Sequence, residues 1–173
     1  MKTYEFTIIA SGLHPEMEGY EDRFFEAGCD DATLAFQKGV IILEFSREDV
    51  SFSHAVSSAY DNVQQAGATV ERIEPDHLVS LSDIAERSGL SRQAMSLYSN
   101  AARGQGFPKP VARVTSKVPL WDWYEVAEWL FERDKIDKGA VVEARIVREA
   151  NLFIESHDHS ADNFAKRLQA LAA

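Results

Sequence analysis

Residues 80–130 read SLSDIAERSGLSRQAMSLYSNAARGQGFPKPVARVTSKVPLWDWYEVAEWL, and the spacing inside this stretch decides the fold. Ile84 and Ala85, then Gly89, then Met95 and Tyr98 fall at the intervals of two short helices joined by a tight turn, a helix-turn-helix. Ala85 is small enough for the helices to cross closely, and Gly89 supplies the left-handed backbone that ends the first. Ile84, Leu90, Met95 and Tyr98 recur as a shared apolar seam. Capping agrees. Ser80 with Asp83 makes a capping box, and Ser91 is a natural N-cap for a second helix expected over residues 91–102.

With Met95 and Tyr98 turned inward, Arg92, Gln93, Ser96 and Asn100 share the opposite face, with Leu97 at its edge. Such side chains hydrogen-bond base edges and phosphates, so the second helix reads as a recognition helix. FPKPV then breaks the helix with two prolines; VARV predicts a short strand, TSK a turn and VPLW a return strand. Asp122 and Glu125 form a second capping box, opening the helix WYEVAEWLFER. Helix-turn-helix, basic hairpin and returning amphipathic helix together make a winged helix. The arrangement resembles the AlpA/excisionase branch of the MerR-like DNA-binding domains, through GLSRQ in the turn, FPKPV before the wing, and the spacing from Trp121 through Glu125 and Val126 to Trp129.

That resemblance implies a sequence-specific protein of double-stranded DNA, a bacterial or phage transcriptional regulator. Ser91, Arg92, Gln93, Ser96 and Asn100 would read bases or nearby phosphates. Arg113, Ser116 and Lys117 on the hairpin would grip an adjacent minor groove or backbone, with Arg87 and Arg103 as phosphate contacts.

The net charge of −10 looks wrong for that partner, since phosphate contacts need cations. Its distribution answers the objection. Residues 1–77 carry 15 acids and 5 bases; residues 78–118 carry 2 acids and 6 bases; residues 119–173 carry 11 acids and 7 bases. The one basic segment is the proposed reading head, and acidic flanks lower the non-specific background.

Upstream, TYEFTIIA (3–10) alternates as a strand. EMEGYEDRFFEAG predicts a helix with Met17, Tyr20, Phe24 and Phe25 on one face and Gly28 as its stop. DATLAFQ, KG and VIILEFS read as a β-hairpin over 31–46, and a helix runs from Ser51 through Gln65. Gly67 ends it, and ATVERIE is a fourth strand. The order βαββαβ is the ferredoxin-like pattern, so the expected fold class is α+β. The FEAGCDDAT segment (25–33) is similar to the front half of bacterial helix-turn-helix proteins. The expected domains are therefore 1–76, a ferredoxin-like region for dimerisation, small-molecule sensing or protein docking; 77–136, the winged helix-turn-helix; and 137–173, a helical extension.

In that extension Val141, Val142, Ile146, Val147, Phe153 and Ile154 lie on one side of a long helix, and Phe164, Leu168 and Leu171 stripe a short last one. A homodimer contact through the long helix is expected, against the alternative that it packs on its own chain.

The remaining candidates read as structure. Cys29 beside Asp30 and Asp31 has no His or Lys nearby to stabilise a thiolate, so a buried, inert thiol is expected. His157, Asp158 and His159 lack a matching ligand pair, and His14, His54 and His77 are scattered. GQG at 104–106 lacks the setting of a phosphate loop, and Trp121, Trp123 and Trp129 fit core packing better than a base-stacking platform. No catalytic constellation, cofactor or metal is expected. A single cysteine, the absence of a leader and the absence of any apolar run near the ~20 residues of a membrane span point to the cytoplasm. The alternative function is an acidic interaction module, an adaptor or antitoxin-like partner that binds a basic protein.

Overall fold

Alternating burial along the first ten residues sets the first layer of the computed structural model, which describes residues 1–100, 104–156 and 161–172. Strand β1 (Lys2–Ser11) turns Phe6, Ile8 and Ala10 inward. It pairs antiparallel with β3 (Val40–Asp49), whose inward row is Ile41, Leu43, Phe45 and Arg47. β2 (Ala32–Gln37) joins β3 through Lys38 and Gly39, both at positive φ, the two-residue turn whose twist matches a hairpin. β4 (Thr69–Glu74) pairs antiparallel with the other side of β1, giving the sheet order β2-β3-β1-β4. With seven helices among the described residues, the chain is a mixed α+β protein.

Helix α1 (Tyr20–Glu26) is shorter than expected. Gly19 at φ 70 sets its start, so residues 15–18 form a turn and Met17 stays outside the helix. Tyr20 and Phe24 are buried, but Phe25, about 100° further round the helix, is 67% exposed and does not belong to the inward face. Helix α2 (Phe52–Gln65), capped by Ser51, buries Ala55, Val56, Ala59, Tyr60 and Val63.

The inward phase of β3 delivers a charge, Arg47, into the layer between sheet and helices. Its guanidinium is held by Asp31 at 2.7 and 2.8 Å, Ser58 and Asn62 at 2.9 Å, and the Gly28 carbonyl at 2.7 Å. A buried cation survives only with its donors satisfied, and these five bonds do that. Gly28 has φ 90, and a Cβ there would come within 3.1 Å of Asn62, so the helix stop and the clamp require the same glycine.

The chain divides into two units, residues 1–75 with 149–173, and residues 76–148. The tail expected as a separate extension over 137–173 is split between them. The long helix α6 (Lys138–Glu155) gives Val141 and Ala144 to the core of the second unit. In the first unit its Asn151, Phe153 and Ile154 are buried, and Phe153 and Tyr60 pack against Phe164 of α7 (Ala161–Ala172) at ring distances of 5.0 and 4.0 Å. The apolar residues expected to make a dimer contact are thus mostly covered by this chain itself. Their spacing suits either use.

In the second unit, α3 (Leu81–Ser88) and α4 (Arg92–Ser99) meet at Gly89, which has φ 69. The returning helix α5 (Trp123–Phe131) is capped by Asp122. Val79, Ile84, Met95, Val126 and Leu130 form the core with all three tryptophans.

The strands expected from VARV and VPLW do not form as a pair. One bridge, Ala112 to Leu120, closes the loop, because Pro110 and Pro119 beside it have no N–H to extend a ladder. Trp121–Asp122 (β6) pairs instead with Leu78–Val79 (β5) ahead of α3.

Candidate nucleic-acid interface

The candidate surface is built from the second unit alone. Ser80 and Asp83 complete a reciprocal capping box, in which the Asp83 carboxylate accepts from the Ser80 N–H at 2.7 Å and hydroxyl at 2.6 Å. The Ser80 hydroxyl bond holds the Asp83 carboxyl below its ordinary range; burial opposes this, while the Ser80 N–H and the Arg87 charge assist.

Helix α4 starts where expected and is shorter. The Ser91 hydroxyl accepts the Ala94 N–H at 3.1 Å, and Asn100 is the C-cap; residues 101–103 of the expected continuation lie outside the described residues. Met95 is fully buried, and Tyr98 packs on Trp129 at 5.1 Å and Phe107 at 6.5 Å. Those contacts fix the roll of the helix about its axis. As a result Arg92, Gln93, Ser96 and Asn100 stand exposed together, with Ser96 and Asn100 side by side and Leu97 half-buried. Ser91 is also exposed, but its oxygen serves the cap, leaving its O–H as the free donor.

The glycine-rich stretch before the bridge-closed loop is strapped to α5. The Gln105 carbonyl accepts from Trp129 Nε1 at 3.3 Å and from Arg133 at 2.9 Å, and Trp121 Nε1 donates to the Pro108 carbonyl at 3.1 Å. Arg133 lies over the Trp129 ring at 3.8 Å. These polar edges let Trp121 and Trp129 be buried with their indole N–H groups bonded.

On the bridge-closed loop, Arg113 and Lys117 are exposed, and Arg113 adopts φ 51. Ser116 belongs to the turn: its N–H donates to the Arg113 carbonyl at 2.9 Å and its hydroxyl accepts the Val118 N–H at 3.2 Å. Val111, Val114 and Val118 are about half exposed or more, which the sequence reading did not anticipate. Arg87 is half-buried, its guanidinium 5.5 Å from the Trp123 ring centre. Arg103, and the His157, Asp158 and His159 group, fall outside the described residues.

Arg47 escaped the sequence reading as a structural centre, although period-two alternation from Ile41 placed it inward and the hairpin expected over 31–46 brought Asp31 to its side. Burial pushes the Cys29 thiol up to about 11; Arg47 lowers it, and Asp31 and Asp30 raise it. Among the described residues no helix is long and apolar enough to cross a membrane. Comparison with protein-family models, curated proteins and solved structures finds no match to this chain.

Proposed function

We propose that the chain is a sequence-specific double-stranded DNA-binding protein, a bacterial or phage transcriptional regulator acting in the cytoplasm, with a ferredoxin-like first unit and a winged helix-turn-helix second unit. The sheet order β2-β3-β1-β4 with two intervening helices supports the first description. Two helices meeting at Gly89, a bridge-closed basic loop and a returning helix support the second.

One observation carries the functional reading. The exposed side of α4 bears Arg92, Gln93, Ser96 and Asn100, while Met95, with no exposed surface, holds it from behind. A helix presented this way offers its first-turn residues to base edges. Gln93 suits adenine and Arg92 suits guanine or a flanking phosphate. Arg113 and Lys117 supply backbone contacts from the loop, and the exposed valines beside them offer apolar contact to a groove wall.

Selection of bound fragments from random duplex DNA at physiological salt tests the proposal. A single enriched motif is expected, and an inverted repeat would reveal binding as a homodimer. Recovery of unenriched sequence would remove the reading.

A further inference from the structure

We propose that the open edge of β2, beside the acidic helix α1, is a docking site for an extended basic peptide that adds to the sheet as a further strand. The two edges of this sheet are treated differently. At β4, Asn151 covers the edge by bonding the Ile73 N–H through Oδ1 at 2.8 Å and the Ile73 carbonyl through Nδ2 at 2.9 Å, so a side-chain amide stands where a neighbouring strand would.

At β2 nothing comparable is found among the described residues. The turn closing at Gln37 and Val40, together with the Ser46 N–H bond to the Asp31 carbonyl at 3.0 Å, fixes the phase of the ladder. Residues 31, 33, 35 and 37 bond to β3. The backbone groups of Leu34 and Phe36 therefore point away from the sheet.

A groove lies along this edge. One part, about 380 Å³, lies between β2 and the start of α1; the next, about 370 Å³, continues past Phe24 and Phe25 over Leu34 and Leu43. Tyr20, Leu34 and Phe36 line the first part. Phe25 is largely exposed at the rim of the second part.

Charge chooses the occupant. Residues 16–31 hold seven acids and one base, Arg23; Asp31 alone of those acids is bound to Arg47, and Glu21 and Asp22 line both parts of the groove. In an added strand alternate side chains fall on the groove side. Lysine or arginine at those positions would lay its aliphatic stem over Leu34 and Phe24 and set its charge against Glu21 and Asp22. The site uses the first unit only, so it stands or falls independently of DNA binding.

Fluorescence anisotropy of the full chain with a labelled ten-residue peptide of alternating lysine and threonine tests it. Saturable binding is expected, with protection of the Leu34 and Phe36 amides from hydrogen exchange. The glutamate–threonine counterpart should bind at least roughly tenfold more weakly, as should the lysine–threonine peptide N-methylated at every residue, which keeps its charge and cannot pair as a strand. The exposed-site variants Phe25→Ala and Glu21→Lys/Asp22→Lys should each weaken binding while leaving far-UV circular dichroism unchanged. Equal binding of the N-methylated peptide would reduce the interaction to charge attraction and overturn the proposal. So would self-association that protects Leu34 and Phe36 without peptide, since the occupant would then be a second copy.

Discussion

Asn151→Ala should destabilise the first unit far more than its chemistry as one polar residue in a helix suggests. Asn151 is 1% exposed and Ile73 is fully buried, so the alanine leaves the N–H and the carbonyl of Ile73 without partners and without water. Each stranded buried group costs about 1–3 kcal/mol, so the pair is worth about 2–6 kcal/mol. At about 2–4 °C per kcal/mol for a chain of this size, that corresponds to a fall of roughly 4–24 °C in Tm. Hydrogen exchange at Ile73, read beside urea unfolding, localises the loss.

Asn151→Asp sharpens the test. Protonated, the acid still accepts from the Ile73 N–H and donates to its carbonyl; ionised, it sets a buried negative charge against that carbonyl. Its folded pKa is therefore raised, and the variant should lose stability as pH rises above the unfolded value of about 3.9. It should sit nearer the parent at pH 4 than at pH 7. An alanine variant within about 0.5 kcal/mol of the parent, the range of an inert surface change, would refute the reasoning, as would a pH-independent aspartate variant.

Arg92→Ala should weaken binding to the selected DNA motif by about 1–3 kcal/mol with unfolding unchanged; an unaltered affinity removes Arg92 from the contacts. Lys117→Ala should reduce the slope of log affinity against log salt by about 1 while leaving sequence preference alone, as titration at several salt concentrations will show. Ser80→Ala should cost about 1 kcal/mol near neutrality in urea unfolding. Because the folded Asp83 carboxyl is depressed, its contribution is present above the unfolded value of about 3.9 and lost as pH falls through the folded one, so that gap should narrow in acid. Cys29 should alkylate at pH 8 roughly a hundredfold more slowly in the native chain than in urea; equal rates would show that burial does not hold the thiol protonated.

What was legible in the sequence was whatever depended on local backbone chemistry. The Ser80–Asp83 box, the stop at Gly89, the Lys38–Gly39 turn and the caps at Ser51, Ser91 and Asp122 are set within a few residues of themselves, and each formed where expected. The inward turn of Met95 was equally legible from helical period. The misses share a different cause. A period-two pattern tells which face of a strand turns inward but not which partner accepts the backbone, so β6 was assigned to the wrong neighbour. Pro110, read as a helix breaker, and Pro119, inside the expected return strand, are what kept that ladder to a single bridge.

The polar residues show the same limit more sharply. Arg47 and Asn151 look like surface residues by type, and both are buried because each matches a set of groups distant in sequence. Arg92, Gln93 and Asn100 are of the same types and stand in the open, with no such distant match among the described residues. The discriminating fact is therefore satisfaction rather than polarity. Where the fold completes a side chain's bonds, as at Arg47, the residue is structural. Where packing fixes a polar face and, among the described residues, nothing outside the helix bonds it, as on α4 behind Met95, or leaves the outward backbone groups of Leu34 and Phe36 unpaired, as along β2, the face is a candidate for a partner from another molecule.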